Sequence, residues 1–172
     1  MIKKIKEIGK ALEHGCYHCA LALTLTLPDI CGQVAYPNLH KPEQRGERYK
    51  KWFDEYVSKY YQCPEDVTLP NQKICFVNGY TCYLLRCAYL HNGNFDLKNQ
   101  NEKIKINGFR LHYSKENAGY SNFNSVQLSQ DDFRLDIDVS GLCYSICQAA
   151  TDFYHDTTDK NQFKNESIQE YS

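Results

Sequence analysis

The residues best suited to chemistry lie together in the stretch YLLRCAYLHNGN, residues 83–94. Arg86 interrupts a run of mostly apolar residues, and His91 follows five positions later, just before Asn92 and Gly93. A guanidinium always carries charge, so Arg86 needs an anionic partner, either a carboxylate or a phosphate. An imidazole with a pKa of about 6.5 can accept or donate a proton at neutral pH. The pair could therefore bind a phosphate and transfer protons beside it.

One helix should carry both residues. Residues 78–92 place apolar side chains at helical spacing and end at His91-Asn92-Gly93, which is a typical helix stop. In a regular α-helix, Arg86 and His91 lie about 140° apart around the axis. The two side chains are therefore expected to meet only if the long arginine side chain extends towards the last turn.

The same residues also have a purely structural interpretation. Arg86 could pair with an acid such as Asp29, Glu47 or Asp54, and His91 could cap the helix, where the dipole favours a cation. The Arg-x4-His spacing is a weak signal by itself, because a chain of this composition has about one chance in six of containing it. The apolar surroundings of Arg86 and the open helix end are what favour a site.

Three further segments have the spacing of amphipathic helices. They cover residues 2–27, ended by Pro28, residues 44–62 and residues 139–156. With residues 78–92, they predict a mainly α fold, a bundle of about four main helices.

A small β insertion is expected at residues 100–138, between the third and last helices. Its segment KIKINGFRLHY alternates around Asn107-Gly108, a strong hairpin signal, so residues 103–106 and 109–113 should pair as a hairpin. Two short apolar runs could add strands: Val126–Leu128 and Phe133–Ile137.

A chain of 172 residues is long enough for one domain. Residues 1–156 should form this domain, with Asp138 or Ser140 capping the last helix. Residues 157–172 have almost nothing to bury and are expected to be a mobile polar tail.

The overall charge gives no general attraction for nucleic acid. The chain has 20 Lys+Arg against 21 Asp+Glu, so RNA binding would need a local patch. Such a patch occurs in RGERYKKW, residues 45–52, where basic and aromatic residues alternate. Arg48 is its best candidate to face Arg86 and His91, although such charges also occur on ordinary solvated helix faces.

Nine cysteines could suggest a secreted disulfide framework, but their number is odd and Cys143 and Cys147 follow helical spacing. Reduced thiols in a cytoplasmic protein are the expected state. Cys31 and Cys87 are weak candidates for a nucleophile, because nothing local lowers a thiol pKa. The charged start of the chain argues against a signal peptide, and the apolar stretches are too short to span a membrane.

The motif HGCYHC at residues 14–19 has the composition of a zinc site. On one helix, Cys16 lies nearly opposite His18, so a single ion could not collect all four side chains. A site made of His14, His18 and Cys19 with a distant fourth ligand stays open, and plain helix-face residues are the default. We expect no metal and no cofactor.

The stretch RCAYLH, residues 86–91, is similar to the Arg-x4-6-His motif of the HEPN superfamily. These compact helical bundles include metal-independent ribonucleases of toxin, antiviral and RNA-targeting CRISPR systems. The resemblance covers the helical frame, roughly residues 10–92 and 139–156. In many members a polar residue, often asparagine, follows the arginine, whereas this chain has Cys87 there, four residues before His91.

The resemblance implies a homodimeric, metal-independent endoribonuclease acting on single-stranded RNA. His91 would be the general acid–base and Arg86 would stabilise the phosphorane, with Asn92, Arg48 and Cys87 as substrate-binding or supporting residues. A two-fold dimer would bring two Arg-His pairs into one cleft near the third helix. A toxin or phage-defence setting would add an antitoxin as partner. The alternative is a non-catalytic HEPN-like bundle that binds a protein or a nucleotide.

Overall fold

The structure is a computed structural model that describes residues 1–61, 77–93, 106–113, 124–129 and 132–163. These residues form a helical bundle with a small sheet, which confirms the predicted mainly α fold with a β insertion. Buried residues from the helices and from the sheet join in one hydrophobic cluster.

The first predicted helix is wrong as a single element, because three helices replace it. They are α1 (Ile2–Glu13), α2 (Tyr17–Thr24) and α3 (Leu27–Ala35). Gly15 has a φ of 71°, a left-handed conformation that ends a helix at little cost for glycine. Pro28 lies in the first turn of α3, where its missing N–H costs nothing, so it starts a helix rather than ending one.

Helix α4 (Arg45–Tyr56) confirms the second predicted helix. Its aromatic face is turned into the core, with Trp52 and Phe53 fully buried. Short 3-10 turns flank the helix at Pro42–Gln44 and Ser58–Tyr61.

Helix α5 (Gly79–Cys87) confirms the third. The Asn78 side chain caps it by accepting a hydrogen bond from the Thr81 backbone N–H at 3.0 Å. The chain then continues into a π-helical turn, Ala88–Asn92, and Gly93 ends that turn with a φ of 60°. The predicted stop signal is therefore confirmed, but the last turn is not α-helical.

Helix α6 (Val139–Asp156) has the bounds that the sequence predicts. Asp138 is its N-cap, because the carboxylate accepts from the Ser140 backbone N–H at 3.0 Å. The helix contacts α1, α2, α3 and α4, so it forms the centre of the bundle.

The β insertion is a three-stranded sheet of β1 (Gly108–His112), β2 (Asn124–Ser129) and β3 (Asp132–Asp138). The strand order is β1-β3-β2, with β1 parallel and β2 antiparallel to β3. The hairpin of the insertion is thus formed by β2 and β3.

The hairpin predicted around Asn107-Gly108 is wrong, since Gly108 lies within β1 and pairs with Arg134. Residues 103–105, part of its first predicted strand, lie outside the described residues. The parallel pairing brings Phe109 and Leu135 side by side on the inward face, where both are buried. Burial of this apolar face against the helices favours the long-range pairing.

Contact between α4 and α5 is unusually close at Gly79. A Cβ atom at this position would lie 2.2 Å from the Lys50 carbonyl oxygen, so only glycine fits. The Gly79 N–H donates to the Asp54 carboxylate at 2.6 Å. These contacts fix the start of the helix that carries Arg86.

Residues 157–163 of the predicted tail pack against the end of α6. Phe163 is only 2% exposed, and its ring contacts that of Phe153 edge-on at 6.0 Å between centroids. Lys160 in the 3-10 turn Lys160–Gln162 donates to the His155 carbonyl at 2.9 Å. The expectation that this segment buries almost nothing is wrong for these residues, and residues 164–172 lie outside the described part.

Candidate active site

Arg86 and His91 lie beside each other at the end of α5. The Nη1 atom of Arg86 is 3.5 Å from the Nε2 atom of His91, at the long end of the hydrogen-bond range. The π-turn contributes to their proximity: Arg86 lies in the last turn of α5, and the wider winding of residues 88–92 places His91 nearer to the Arg86 face than an α-helix would. The sequence pattern predicted a regular α-helix, in which the two residues would be separated by about 140°.

The contact with Arg86 indicates the hydrogen-bonding role of the His91 Nε2 atom. A guanidinium can only donate hydrogen bonds, so in this contact Nε2 of His91 is placed as the acceptor. His91 is exposed, whereas the side chain of Arg86 is 21% exposed. The site therefore places an imidazole next to a fixed positive charge at the protein surface.

Asp29 holds the other edge of the Arg86 guanidinium. Its Oδ2 atom accepts from Nε of Arg86 at 2.7 Å, and its side chain is 19% exposed. Asp29 lies in the first turn of α3, so the ion pair joins α3 to α5. The carboxylate occupies the Nε edge and leaves Nη1 directed at His91.

Burial and neighbouring charges have opposite effects on the pKa values of Asp29 and Arg86. Burial raises the pKa of Asp29 above its ordinary value, even though Arg86, Arg48 and Arg45 all lower it. Burial lowers the pKa of Arg86, but Asp29 and Tyr49 outweigh it, so the pKa of Arg86 is raised overall. The guanidinium is therefore charged under all ordinary conditions.

Two tyrosine rings border the Arg86 guanidinium. Its Cζ atom lies 5.8 Å from the ring centre of Tyr49 and 5.9 Å from that of Tyr83, within cation–π range. A Cβ atom at Gly46 would lie 2.9 Å from the Tyr83 ring, so this glycine makes room for Tyr83. Tyr49 was noted in the sequence only as an aromatic residue of the basic patch at residues 45–52, and Tyr83 was not identified, because its helical spacing marked it only as a core residue.

Cys87 is half-buried and lies next to Arg86 in the chain. Burial is the main cause that raises the pKa of Tyr83, and the nearby Cys87 thiol adds to it. Cys87 thus lies close to the tyrosine that borders Arg86. Asn92 is the last residue of the π-turn, and its supporting role stays a prediction.

Arg48 lies close enough to the site to interact electrostatically with Asp29. Burial lowers the pKa of Arg48, Asp29 raises it and Arg45 lowers it. The side chain is 7% exposed and its Nη1 donates to the Leu39 carbonyl at 2.9 Å. Its Nε atom is buried and has no hydrogen-bond partner. Arg48 therefore adds positive charge from beneath the surface, and direct contact with a substrate stays a prediction.

The other two acids considered as partners of Arg86 have different neighbours. Asp54 accepts from the Gly79 backbone N–H at 2.6 Å. Glu47 lines an open surface depression together with Lys50 and Lys51. Of the three candidates, Asp29 is the one that pairs with Arg86.

No protein-family model, curated protein or solved structure matches this chain. Among the described helices, none has both the length and the apolar character needed to cross a membrane.

The histidines of HGCYHC bind protein groups. His14 Nδ1 lies 2.8 Å from the Lys10 carbonyl oxygen, and His18 Nδ1 lies 2.7 Å from the Tyr89 hydroxyl. Within the described ranges, no cluster of three or more His, Cys, Asp or Glu residues could hold a metal ion.

Proposed function

We propose that this chain is a metal-independent endoribonuclease of the HEPN type. The observation that carries the proposal is the π-turn, which brings His91 Nε2 to 3.5 Å from Arg86 Nη1 at an exposed helix end. A histidine can transfer the protons of RNA cleavage at neutral pH, and an arginine can neutralise the charge that develops on phosphorus. Both groups face one small region of surface.

Each side chain has one role in the proposed reaction. When a bound phosphate takes over the Nη1 N–H of Arg86, His91 Nε2 is released to remove the proton from a ribose 2′-OH, and the 2′ oxygen attacks the adjacent phosphorus. The phosphorane carries additional negative charge, which Arg86 stabilises through the guanidinium N–H groups left free by Asp29. The 5′ oxygen leaves with a proton from a second histidine, so the products are a 2′,3′-cyclic phosphate and a 5′-hydroxyl.

A homodimer would supply that second histidine. Helix α5 buries one face in its own bundle and leaves a second row of apolar side chains only half-buried. This row consists of Tyr80, Tyr83, Leu84, Cys87 and Leu90. A two-fold contact along α5 would bury the row and bring two Arg86–His91 pairs together.

Positive charge next to the pair fits a single-stranded RNA substrate. Arg45 and Arg48 interact electrostatically with Asp29, so two arginines besides Arg86 add positive charge near this carboxylate. The seven described cysteines are free thiols, which fits a cytoplasmic location. The proposal includes a toxin or phage-defence setting, with an antitoxin as a further partner.

A second candidate function rests on the 2.7 Å contact between Arg86 and Asp29. This ion pair satisfies part of the guanidinium without any phosphate, as a structural arginine would be satisfied. On this alternative, the chain is a non-catalytic HEPN-like bundle that binds a protein or a nucleotide.

RNA cleavage in excess chelator separates the two functions. The nuclease proposal expects end-labelled single-stranded RNA to give fragments with a 2′,3′-cyclic phosphate. His91→Ala should lower the rate by about 10²–10⁴, and Arg86→Ala should lower it at least as much. His155→Ala removes another exposed histidine, at the end of α6, and should have no effect.

Activity that survives His91→Ala would mean that the cleavage comes from a contaminant or from another site, and the binding-module function would replace the nuclease. Light scattering of the same samples tests the dimer. A monomer at micromolar concentration would contradict the shared cleft.

A further inference from the structure

Two exposed cysteines lie at the start of helix α2. Cys16 is the N-cap residue and Cys19 is the third residue of the helix. The Ala20 N–H donates to the Cys16 carbonyl at 3.0 Å, so Cys16 belongs to the first helical turn. Cβ atoms three residues apart on a helix are about 5–6 Å apart, and a disulfide needs about 3.5–4.5 Å. A movement of an ångström or two would therefore allow the two sulfur atoms to bond.

The backbone at Cys16 can make that movement. Its φ of −83° and ψ of 57° lie outside the helical region, so a change of its backbone angles breaks no regular helical geometry. Its N–H donates to the Ala11 carbonyl at 2.7 Å, and this contact limits the movement to a small adjustment. Cys-x2-Cys pairs occur in the reversible dithiols of disulfide oxidoreductases. This chain has the same spacing at the start of a helix.

The exposure of the cysteines sets this pair apart from the other described thiols. Cys16 and Cys19 are exposed, whereas Cys31, Cys82 and Cys143 are buried. Dissolved oxidants therefore reach Cys16 and Cys19 most easily.

The residues between the two cysteines connect them to the candidate site. His18 Nδ1 lies 2.7 Å from the Tyr89 hydroxyl, and that hydroxyl donates to the His18 carbonyl at 3.2 Å. Tyr89 belongs to the π-turn that places His91 beside Arg86. A disulfide that tightens the Cys16–Cys19 turn would shift the His18 carbonyl, and with it the contact to the π-turn.

We propose that Cys16 and Cys19 form a dithiol–disulfide switch that responds to small disulfides such as oxidised glutathione and acts on the π-turn through His18 and Tyr89. One cysteine thiolate attacks a sulfur of the small disulfide and releases one glutathione thiolate, giving a mixed disulfide. The second cysteine attacks the mixed disulfide and releases the second glutathione. The protein thiols lose two electrons and two protons, and one glutathione disulfide becomes two thiols.

Mass spectrometry tests the chemical step without RNA. The full chain is equilibrated with oxidised and reduced glutathione, quenched in acid, alkylated and digested. We expect the peptide containing Cys16 and Cys19 to lose two hydrogens and to resist alkylation. Cys16→Ser should instead carry glutathione on Cys19, and Cys147→Ser, a control, should form the disulfide as the wild type does.

Amide hydrogen exchange tests the connection to the π-turn. We expect faster exchange at residues 88–92 in the oxidised form than in the reduced form, and no such change in Cys16→Ser.

Cysteines that stay reduced in excess oxidised glutathione, or that carry two separate adducts, would overturn the switch. Unchanged exchange in the oxidised form would overturn its action on the π-turn. Any effect on RNA cleavage rests on the proposed function, but neither measurement needs cleavage, so the two proposals can fail separately.

Discussion

The Nε atom of Arg86 donates to the Oδ2 atom of Asp29 at 2.7 Å, across 57 positions of sequence. This contact fixes the orientation of the guanidinium, because Nη1 then faces His91. Both side chains are about four-fifths buried, so solvent screens their attraction less than it does for a surface ion pair. The relative position of α3 and α5 therefore determines the geometry of the candidate site.

A double-mutant cycle should show strong coupling between these two residues. With Asp29→Asn and Arg86→Met, we expect a coupling free energy of about 1–3 kcal/mol in the free energy of unfolding. The Arg110–Asp136 ion pair on the sheet is the matched control. Arg110 is 54% exposed, so its coupling should stay below about 1 kcal/mol. Urea unfolding of the single and double variants measures both, and equal couplings would contradict the role assigned to Asp29.

The end of the π-turn should be sensitive to the conformation of Gly93. Its φ is 60°, and a Cβ atom added at this position would have no other atom within 4 Å, so Gly93→Ala changes only backbone strain. We expect a loss of about 1 kcal/mol of stability. Gly9→Ala, inside α1 with equally open space, should instead gain about 0.5–1 kcal/mol. Thermal or chemical unfolding compares the two, and shifts in the same direction would refute the left-handed conformation at Gly93.

The docked segment after α6 should contribute measurably to stability. Phe163 is 2% exposed and packs against Phe153 and Tyr154. Phe163→Ala should cost about 3 kcal/mol, as expected for a buried aromatic side chain. Gln162→Ala, at an exposed neighbour, should change stability by less than about 0.5 kcal/mol. A Phe163 variant as stable as the Gln162 variant would show that the segment is not docked.

The rate of thiol alkylation should differ between buried and exposed cysteines, and the rate of the buried one should depend strongly on pH. Burial raises the pKa of Cys82 to about 12, although its hydrogen bond with Tyr49 lowers it. Because the pKa lies above ambient pH, the unreactive thiol form dominates, and roughly one Cys82 in ten thousand is a thiolate at pH 8. Its alkylation should rise about tenfold per pH unit, while exposed Cys19 reacts quickly. Time-resolved labelling of the folded protein measures both rates, and equal rates at pH 8 would disprove the burial of Cys82.

Local patterns predicted the elements whose boundaries depend on nearby residues. The aromatic face of α4, the apolar face of α6 and its Asp138 cap follow from spacing over one or a few turns. The helix break at Gly15 was not predicted, because the sequence alone does not distinguish a glycine in the left-handed conformation from a glycine inside a helix. Pro28 has the sequence signal of a helix stop, yet the same residue is favourable in a first turn.

Long-range contacts could not be predicted in this way. The partner of β1 is β3 rather than the neighbouring segment, because the pairing is decided by burial of a shared apolar face. Asp29 was one of three plausible acids until the packing of α3 against α4 placed it beside Arg86. Residue type and position marked Arg86 and His91 as a candidate pair, whereas the π-turn that follows Arg86 and contains His91 has no distinct signal in AYLHN.

A π-turn equals an α-turn with one residue added, so helix type and motif length are linked in this protein. Residues five apart across a π-turn occupy about the same relative positions as residues four apart in an α-helix. Deleting Ala88 should therefore restore a regular α-helix and still keep the arginine and the histidine on one face. Adding a residue to a regular helix without a π-turn would instead rotate the histidine by about 100°. The number of residues between the arginine and the histidine therefore predicts whether they share a face only when the type of the intervening helix is known.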